Sequence, residues 1–202
     1  MASETERKGD WQQTFTGRQF WPLDPRIEDI SIEDIAHALS LQCRFAGHCR
    51  TFYSVAEHSV RVSLEVERNL RKERNLRKEW VYEKAIASAC LAALLHDASE
   101  AYCIDVPRPL KPYLTGYKAI EADVMSAVER WAGLNPGACS VPAIKHADEA
   151  LLATEARDLM KITTHPWHLK AEPLPDVILP WWSHTAESRF IARFNELKGG
   201  HG

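Results

Sequence analysis

The sequence lacks a long hydrophobic run, a secretory leader and a strong excess of charge of either sign. Its longest apolar stretch, residues 85–95, is about half as long as the roughly 20 residues of a membrane-spanning helix. The N-terminal residues 1–10 are polar and contain no apolar core of a signal peptide. The formal net charge of -3 gives no broad attraction to nucleic acid or anionic membrane. We therefore expect a cytoplasmic protein with neither a membrane nor a nucleic acid as partner.

Paired cysteine motifs are also missing. The five cysteines include no CxxC pair, and their number is odd: Cys43, Cys49, Cys90, Cys103 and Cys139. This pattern suits reduced thiols in a cytoplasm and speaks against a zinc finger or a disulfide framework.

The composition is that of an ordinary globular protein. Hydrophobic residues make up 45% and charged residues 26% of the 202 residues, which argues against general disorder and favours one sizeable core. We predict a single domain over residues 1–202, in which residues 1–13 form a disordered or extended tail.

Periodicity and capping residues predict an all-α bundle of about six main helices. Ser31 is expected to cap the first helix, and the capping box of residues 54–57 the second, which places His58 in a first turn. The remaining helices are predicted over residues 81–100, 117–132 and 142–163 and from Ser183 onward. Only residues 14–20 show a weak extended pattern.

Two segments interrupt this pattern. Residues 68–79 contain the hexapeptide Arg-Asn-Leu-Arg-Lys-Glu twice in tandem. Since six residues turn a helix by about 240°, the copies cannot present one face, and we interpret them as an inserted helix extension or loop. A basic patch for phosphate or nucleic acid is the alternative. Residues 165–182 are rich in Pro and Trp and predict an ordered loop that packs on the body.

Ionisable residues concentrate directly after the apolar run. His96, Asp97, Glu100 and Asp105 place one imidazole and three carboxylates within ten residues. On a helix that continued to residue 100, the first three would project toward the same space. Carboxylates so close together repel each other unless a cation or a shared proton offsets their charge. A divalent metal ion would do so, and a buried His–Asp ion pair is the plainer alternative.

Further ligands would have to come from other helices. His58 and Asp148 are the candidates, with His146 as a competitor. Two imidazoles and two carboxylates suit Mn²⁺, Fe²⁺, Co²⁺, Ni²⁺ or Zn²⁺ better than Mg²⁺, which prefers oxygen ligands. We therefore expect one divalent transition metal ion as cofactor. Four protein ligands in an octahedral shell would leave two positions for water or a phosphate oxygen.

These residues resemble a known family. His58, His96-Asp97 and Asp148 look like the H…HD…D motif of the HD-domain metal-dependent phosphohydrolases. The string HDASEAYCIDVPRPLK, residues 96–111, is similar to the subgroup of 5′-deoxynucleotidases and phage dATP triphosphohydrolases. The resemblance covers about residues 15–197. It implies an HD-domain bundle, metal ligation by the four motif residues and a homodimer as one assembly to expect.

The resemblance also implies a reaction. Phosphate would be released from a small (deoxy)nucleoside 5′-monophosphate by attack of a metal-activated water. Glu100 and Asp105 match the acidic pair near the scissile phosphate, where one positions or deprotonates the water and the other assists the leaving alkoxide. The chemistry agrees, because a carboxylate beside such a water is a natural general base.

Phosphoryl transfer depends on charge neutralisation, so cations are expected near the phosphate. Arg44 is the first candidate, and Lys111 or Arg50 the second. Phe45, at the place of a Trp in the deoxynucleotidases, is expected to stack on a base or sugar. His48, close to Arg44 in sequence, is a further candidate for a substrate contact.

Other functions compatible with the same residues are a triphosphohydrolase of the phage dATPase kind, a guanosine-tetraphosphate or cyclic-nucleotide hydrolase, and a non-catalytic metal- and nucleotide-binding module. Retention of both Glu100 and Asp105 favours an enzyme. No role in the site is predicted for His37 or His146, and four helix carboxylates are expected to be solvated: Asp123, Glu129, Glu149 and Glu155.

Overall fold

Helices account for nearly all the regular structure of the chain. The computed structural model describes residues 6–77 and 83–199, apart from the side chains of residues 74–77. The described residues form seven α-helices: α1 (Ile32–Leu41), α2 (Val55–Arg77), α3 (Glu83–Leu94), α4 (Glu100–Cys103), α5 (Tyr117–Trp131), α6 (Pro142–Leu159) and α7 (Ser183–Gly199). One antiparallel hairpin joins β1 (Gln12–Gln13) to β2 (Gln19–Phe20). The all-α prediction is confirmed. None of these helices has the length and apolar character needed to cross a membrane.

The two predicted N-caps are present. The Ser31 Oγ accepts the backbone N–H of Asp34 at 3.2 Å, and the Ser54 Oγ accepts that of Glu57 at 3.1 Å. The second half of the capping box is not formed as predicted. The buried Glu57 carboxylate instead accepts hydrogen bonds from the Arg61 guanidinium and from the backbone N–H of Trp181. Glu57 thus ties the start of α2 to the segment before α7.

The third helix is shorter than predicted. It ends at Leu94, and residues 95–99 form turns before α4. The His96 Nδ1 lies 2.8 Å from the Ala93 carbonyl, which a continuing helix would offer to the N–H of Asp97. The expectation that His96, Asp97 and Glu100 share one continuous helix is therefore wrong. Residues 81–82 of the predicted helix lie outside the described residues.

The sixth helix also ends early, at Leu159 rather than near residue 163. Its terminal carbonyl accepts the backbone N–H of Arg50 at 2.8 Å, which satisfies one of the acceptors that a helix end leaves open. The loop that contains Arg44 is thereby attached to the end of α6.

The core forms around α2, which packs against α3, α6, α7 and α1. The first turns of α2 are buried on every side, so that polar Glu57, His58 and Ser59 lie in the interior together with Val55 and Ala56. Buried polar groups require partners, and the partners of His58 define the site described below.

The N-terminal segment is attached to the body from Arg7 onward. The Arg7 guanidinium pairs with Asp29 at 2.9 Å, and the Gln12 amide donates to the Tyr102 carbonyl. Asp34 accepts both the backbone N–H and the hydroxyl of Thr16, which holds the hairpin against α1. The weak extended pattern of residues 14–20 thus corresponds to the turn and second strand of this hairpin. Residues 1–5 of the predicted tail lie outside the described residues.

The duplicated hexapeptide lies largely in α2, which continues through residues 68–77, while residues 78–79 lie outside the described residues. Arg68 pairs with Glu65 at 2.6 Å and approaches Asp176 at 3.5 Å, and Arg71 pairs with Glu67 at 2.8 Å. In the described part of the duplication, these carboxylates offset the charges of Arg68 and Arg71.

Residues 160–182 form a long loop without helix or strand that lies on the body of the protein. Its anchor is Trp181, whose ring lies between the guanidinium groups of Arg61 and Arg189, 4.8 and 4.1 Å from the ring centroid. Ile178 is buried beside it. Trp182, by contrast, remains 78% exposed, so the tryptophans of this loop do not all pack inward.

Candidate metal centre

The four predicted ligands come from separate segments. His58 lies in the first turn of α2, His96 and Asp97 in the turn after α3, and Asp148 in the second turn of α6. Donor atoms of His58, His96 and Asp97 lie within 4.8 Å of one another. Asp148 lies outside this compact group and contacts it through His58, with its Oδ1 3.1 Å from the His58 Nε2.

The distances between donor atoms fit one shared ion. The His96 Nε2 lies 3.2 Å from the Asp97 Oδ2, and the His58 Nε2 lies 3.8 Å from the same oxygen. Ligand atoms at about 2.1 Å from a metal ion are roughly 3.0–3.4 Å apart at octahedral or tetrahedral angles. The observed separations are close to these values.

Two buried nitrogens in the centre have no hydrogen-bond partner among the described residues. They are the Nε2 atoms of His58 and His96. Their nearest polar atoms are carboxylate oxygens, the Asp148 Oδ1 at 3.1 Å from the His58 Nε2 and the Asp97 Oδ2 at 3.2 Å from the His96 Nε2, in contacts without hydrogen-bond geometry. A divalent cation would accept both lone pairs and offset the charges of Asp97 and Asp148. The residues therefore fit a transition metal ion with two nitrogen and two oxygen ligands.

The opposite ring nitrogens are both occupied. The His58 Nδ1 lies 2.6 Å from the Glu155 Oε1, and the His96 Nδ1 lies 2.8 Å from the Ala93 carbonyl. Each Nδ1–H can donate to its acceptor, which leaves the Nε2 lone pair directed into the centre. Metal-binding histidines are oriented in this way by a carboxylate or a carbonyl.

Glu155 was predicted to be solvated, and that prediction is wrong. Its side chain is fully buried, and its second oxygen accepts the Arg44 Nε at 3.2 Å. Burial raises the pKa of Glu155, but the Arg44 guanidinium and His58 outweigh it and lower that pKa below its usual value. The sequence held one indication, since Glu155 follows Asp148 by two helical turns and so shares its face.

Glu129 was also predicted to be solvated and is buried instead. Its carboxylate accepts the backbone N–H groups of Gly137 at 2.8 Å and Cys139 at 3.0 Å. It therefore organises the connection between α5 and α6 and takes no part in the metal centre. Asp123, by contrast, is exposed as predicted, and His146 lies on the exposed side of α6.

The charged groups around His58 and Asp97 shift the pKa values of both side chains. Burial and Arg44 lower the pKa of His58, but Glu155 and Asp148 outweigh both and raise it to about 9. Burial raises the pKa of Asp97, yet His96, His58 and Arg44 lower it well below its usual value. Without an ion, His58 is therefore protonated on both ring nitrogens at neutral pH, and a metal ion would have to displace the proton on its Nε2.

Glu100 and Asp105 lie on either side of a strained residue. Ile104 has a φ of +64°, in the left-handed region, although its β-branched side chain disfavours that conformation. Such strain costs roughly 1–3 kcal/mol and persists only where surrounding bonds impose it. Here the Gln42 amide donates to the Glu100 carbonyl at 2.9 Å and accepts the Asp105 N–H at 3.1 Å. The Tyr117 hydroxyl donates to the Ile104 carbonyl at 2.8 Å.

The pKa values of both carboxyl groups of the acidic pair, Glu100 and Asp105, are raised. Burial, Asp97 and Asp105 raise the pKa of Glu100 to about 9, although Arg44 and Lys111 lower it in part. Burial also raises the pKa of Asp105. The buried Glu100 Oε2 has no hydrogen-bond partner among the described residues. A carboxyl group with a strongly raised pKa beside a cluster of metal-type ligands is a candidate for proton transfer.

Two of the predicted phosphate contacts lie beside the centre. The Arg44 Nη1 lies 3.7 Å from the Asp97 Oδ2, while the rest of its guanidinium pairs with Glu155. The Lys111 Nζ lies 3.7 Å from the Glu100 Oε1 and 2.9 Å from Glu121. Both cations therefore border the space between the ligands and the acidic pair.

The other predicted substrate residues lie around a separate opening. Phe45 occupies a left-handed turn, with a φ of +56°, and its ring packs edge-on against Trp167 at 5.8 Å. His48 and Arg50 line a cavity with Trp167, and the Arg50 guanidinium donates to the Asp158 carbonyl. Among the described residues, Arg50 contacts the end of α6 at Asp158 and Leu159, and neither it nor His48 contacts the four predicted ligand side chains.

Comparison with known proteins identifies relatives without an assigned activity. No family model matches the sequence. The chain is 38% identical over 188 residues to the uncharacterized protein YfdR of Escherichia coli (strain K12), and the match covers 92% of this chain and 94% of YfdR. It is 36% identical over 158 residues to the uncharacterized protein RCAP_rcc00048 of Rhodobacter capsulatus, covering 75% of this chain and 74% of that protein. The chain therefore belongs to the same family as YfdR.

Proposed function

We propose that this protein is a metal-dependent phosphohydrolase of the HD-domain type that acts on small nucleotides. The favoured form is a nucleotidase that releases phosphate from (deoxy)nucleoside 5′-monophosphates. One observation carries the proposal. The buried Nε2 atoms of His58 and His96 make no hydrogen bond among the described residues and lie 3.1 and 3.2 Å from carboxylate oxygens of Asp148 and Asp97. A second pair of carboxyl groups, Glu100 and Asp105, lies close enough to Asp97 to interact with its charge.

This arrangement suggests a separate chemical role for each group of residues. A divalent ion held by His58, His96, Asp97 and Asp148 would polarise a phosphoryl oxygen and lower the pKa of a water molecule. Glu100, whose carboxyl group is buried and close to Asp97, would accept the proton of the attacking water in its ionised form, which the charge of a bound cation would favour. Asp105, with a raised pKa, would donate a proton to the leaving alkoxide.

Arg44 and Lys111 supply the charge that a phosphate needs. The Arg44 guanidinium is held by its bonds to Glu155, and its Nη1 is directed toward Asp97. Because the side chain is already ordered, binding of a phosphate would cost little further conformational entropy of Arg44. Lys111 lies beside Glu100. Positioned cations stabilise the charge that develops on a phosphoryl group in the transition state.

The backbone strain at Ile104 supports catalysis over simple binding. A binding module would need the ligands alone, whereas here two further side chains, Gln42 and Tyr117, hold the segment that carries the acidic pair. Strain of this kind clusters at active sites, where it fixes reacting groups in advance. We place the enzyme in the cytoplasm, since five cysteines without a CxxC pair suit reduced thiols.

The decisive experiment is a phosphate-release panel. Protein stripped of metal is assayed with deoxynucleoside and nucleoside mono- and triphosphates, each with added Mn²⁺, Co²⁺, Ni²⁺, Zn²⁺ or Mg²⁺. We expect inorganic phosphate from monophosphates with at least one transition metal ion, and loss of activity in Asp97→Ala. Metal binding without hydrolysis of any nucleotide would contradict the proposal, and tripolyphosphate as product would assign the triphosphohydrolase reaction instead.

Metal binding should release a proton at neutral pH. Because the pKa of His58 in the ion-free protein is about 9, the apparent affinity should rise roughly tenfold per pH unit from pH 7 toward 9. Calorimetry in buffers of different ionisation enthalpy measures the number of protons released.

The variant Glu155→Gln should release fewer protons on metal binding and should bind metal about 10–100-fold more weakly. Glu149→Gln, on the same helix, is the control and should match the wild type; equal behaviour of both variants would remove Glu155 from this role.

Glu100→Gln should separate metal binding from turnover. Loss of a general base typically lowers kcat by about 10²–10⁴-fold, while metal affinity should be retained. As a base, Glu100 is inactive when protonated, so kcat of the metal-loaded wild type should increase with pH until that group ionises. The variant should lose this rising limb of the pH–rate profile. Asp123→Asn, an exposed carboxylate on α5, serves as control, and an unchanged kcat in Glu100→Gln would exclude the residue as base.

Gln42 should act as a positioning residue. Gln42→Leu keeps the size of the side chain but removes both bonds to the backbone around Ile104. Two hydrogen bonds at about 1 kcal/mol each correspond to a loss of roughly 10–30-fold in kcat, with KM and metal affinity little changed. The pH–rate profile should also shift, because Glu100 and Asp105 move relative to Asp97. A variant with an unaltered profile and reduced thermal stability alone would indicate a purely structural role.

A further inference from the structure

An open cavity of about 460 Å³ lies beside the end of α6. Its volume falls within the roughly 300–1,000 Å³ of small-molecule sites. The lining includes two cations, two imidazoles and one indole, which belong to Arg50, Lys161, His48, His165 and Trp167. No carboxylate is among the described residues that line the cavity. The local field therefore favours an anion, although the net charge of the whole chain is -3.

Arg50 is held in place at both its backbone and its side chain. Its backbone N–H donates to the Leu159 carbonyl at 2.8 Å, and its guanidinium donates to the Asp158 carbonyl. The Asp158 carboxylate is instead bound by Arg157 and by the backbone N–H of Ile178. Neutral carbonyls thus fix the position of Arg50, and its other guanidinium N–H groups remain available to an anionic ligand.

Two further donors border the same space. Lys161 is exposed, and its ammonium makes no ion pair or hydrogen bond with any described residue. The backbone N–H of His165 donates to the Thr163 hydroxyl at 3.1 Å, and its Nδ1 lies 3.2 Å from the Thr164 hydroxyl. When that hydroxyl donates to Nδ1, the neutral ring carries its proton on Nε2, where it is a donor. A phosphate group, with several acceptor oxygens, could use these donors together with Arg50.

Trp167 gives the cavity an aromatic wall. Its side chain is 41% exposed, and its ring meets that of Phe45 at an angle of 60° rather than face to face. An exposed indole in a cavity wall can stack on a planar ring, as aromatic side chains do on nucleotide bases. A simple anion would leave this wall unused, and an uncharged ring would leave the cations unused. The lining therefore matches a molecule that contains both a phosphate group and a planar ring.

The cavity is built from residues that the metal centre does not use. None of the four predicted metal ligands and neither member of the acidic pair lines it. Arg44 and Lys111, the two cations beside the centre, do not line it either. A ligand in the cavity would therefore bind without contacting a metal ion held by the centre.

We propose that the cavity is a binding site for a nucleoside phosphate, distinct from the metal centre and independent of a metal ion. The phosphate binds Arg50 and Lys161, and the base packs against Trp167. Arg50, which the sequence led us to expect at the substrate phosphate, serves this second molecule instead. The reaction proposed for the metal centre is not needed for this binding.

The test measures binding by calorimetry in protein stripped of metal, so that no hydrolysis interferes. The ligands are adenosine 5′-monophosphate, adenosine, ribose 5-phosphate and inorganic phosphate. We expect the nucleotide to bind at least about tenfold more tightly than each of the other three, because only the nucleotide has both the phosphate and the ring. Its affinity should decrease as ionic strength rises.

Matched lysine variants locate the bound nucleotide. Lys161→Gln should weaken its binding by about tenfold through loss of a charge-assisted hydrogen bond, and the fold should be unaffected, since Lys161 makes no contact of its own. Lys111→Gln, beside the acidic pair, and Lys145→Gln, exposed on α6, should bind the nucleotide like the wild type. Trp167→Leu should weaken binding of the nucleotide but not of ribose 5-phosphate.

Each contrary outcome overturns the proposal. Equal affinity for the nucleotide and for inorganic phosphate would reduce the cavity to a site for simple anions. A loss of affinity in Lys111→Gln but not in Lys161→Gln would place the nucleotide at the metal centre. Because the measurement contains no metal, neither result bears on the hydrolysis proposed for that centre, which the phosphate-release panel tests separately.

Discussion

The hydrogen bond between His58 and Glu155 is the interaction on which the rest of the centre depends. Both side chains are fully buried, one in α2 and the other in α6, and their atoms lie 2.6 Å apart. An isolated charge at either position would be very costly, whereas the pair is completed by the Arg44 guanidinium on the second Glu155 oxygen. Packing of α2 against α6 therefore sets the direction of the His58 ring and the place of Arg44 at once.

A second constraint acts on the acidic pair. Glu100 and Asp105 are separated by a residue in a conformation that its side chain disfavours, and Gln42 bonds to the backbone on both sides of it. The cost of this strain is offset by hydrogen bonds that form only when the segment adopts one arrangement. Carboxyl groups held this close to Asp97 have raised pKa values. The predicted ligands and the acidic pair thus lie close together but differ in protonation, since the pKa of Asp97 is lowered and those of Glu100 and Asp105 are raised.

Local rules predicted the helix starts and the end of α5, but not the ends of α3 and α6. Ser31 and Ser54 cap their helices as expected, because an N-cap bond joins residues only three apart. At the end of α3, the His96 ring bonds to the Ala93 carbonyl in place of a helical N–H. At the end of α6, the Leu159 carbonyl accepts the N–H of Arg50, which lies more than 100 residues earlier in the sequence. Glu57 followed the local pattern in part, since its N–H is capped but its carboxylate binds Arg61 and Trp181.

The sequence by itself determined the all-α class, because helical periodicity and capping residues depend only on residues a few positions apart. It also singled out His58, His96, Asp97 and Asp148 as a set. Only the tertiary structure decided what surrounds them. Glu155 was predicted to be solvated and lies in the centre's outer layer, while Gln42 was not singled out and holds the acidic pair. Their partners lie 97 and 58 residues away. The environment of a carboxylate depends on which helix covers it, and that is settled by packing of the whole chain.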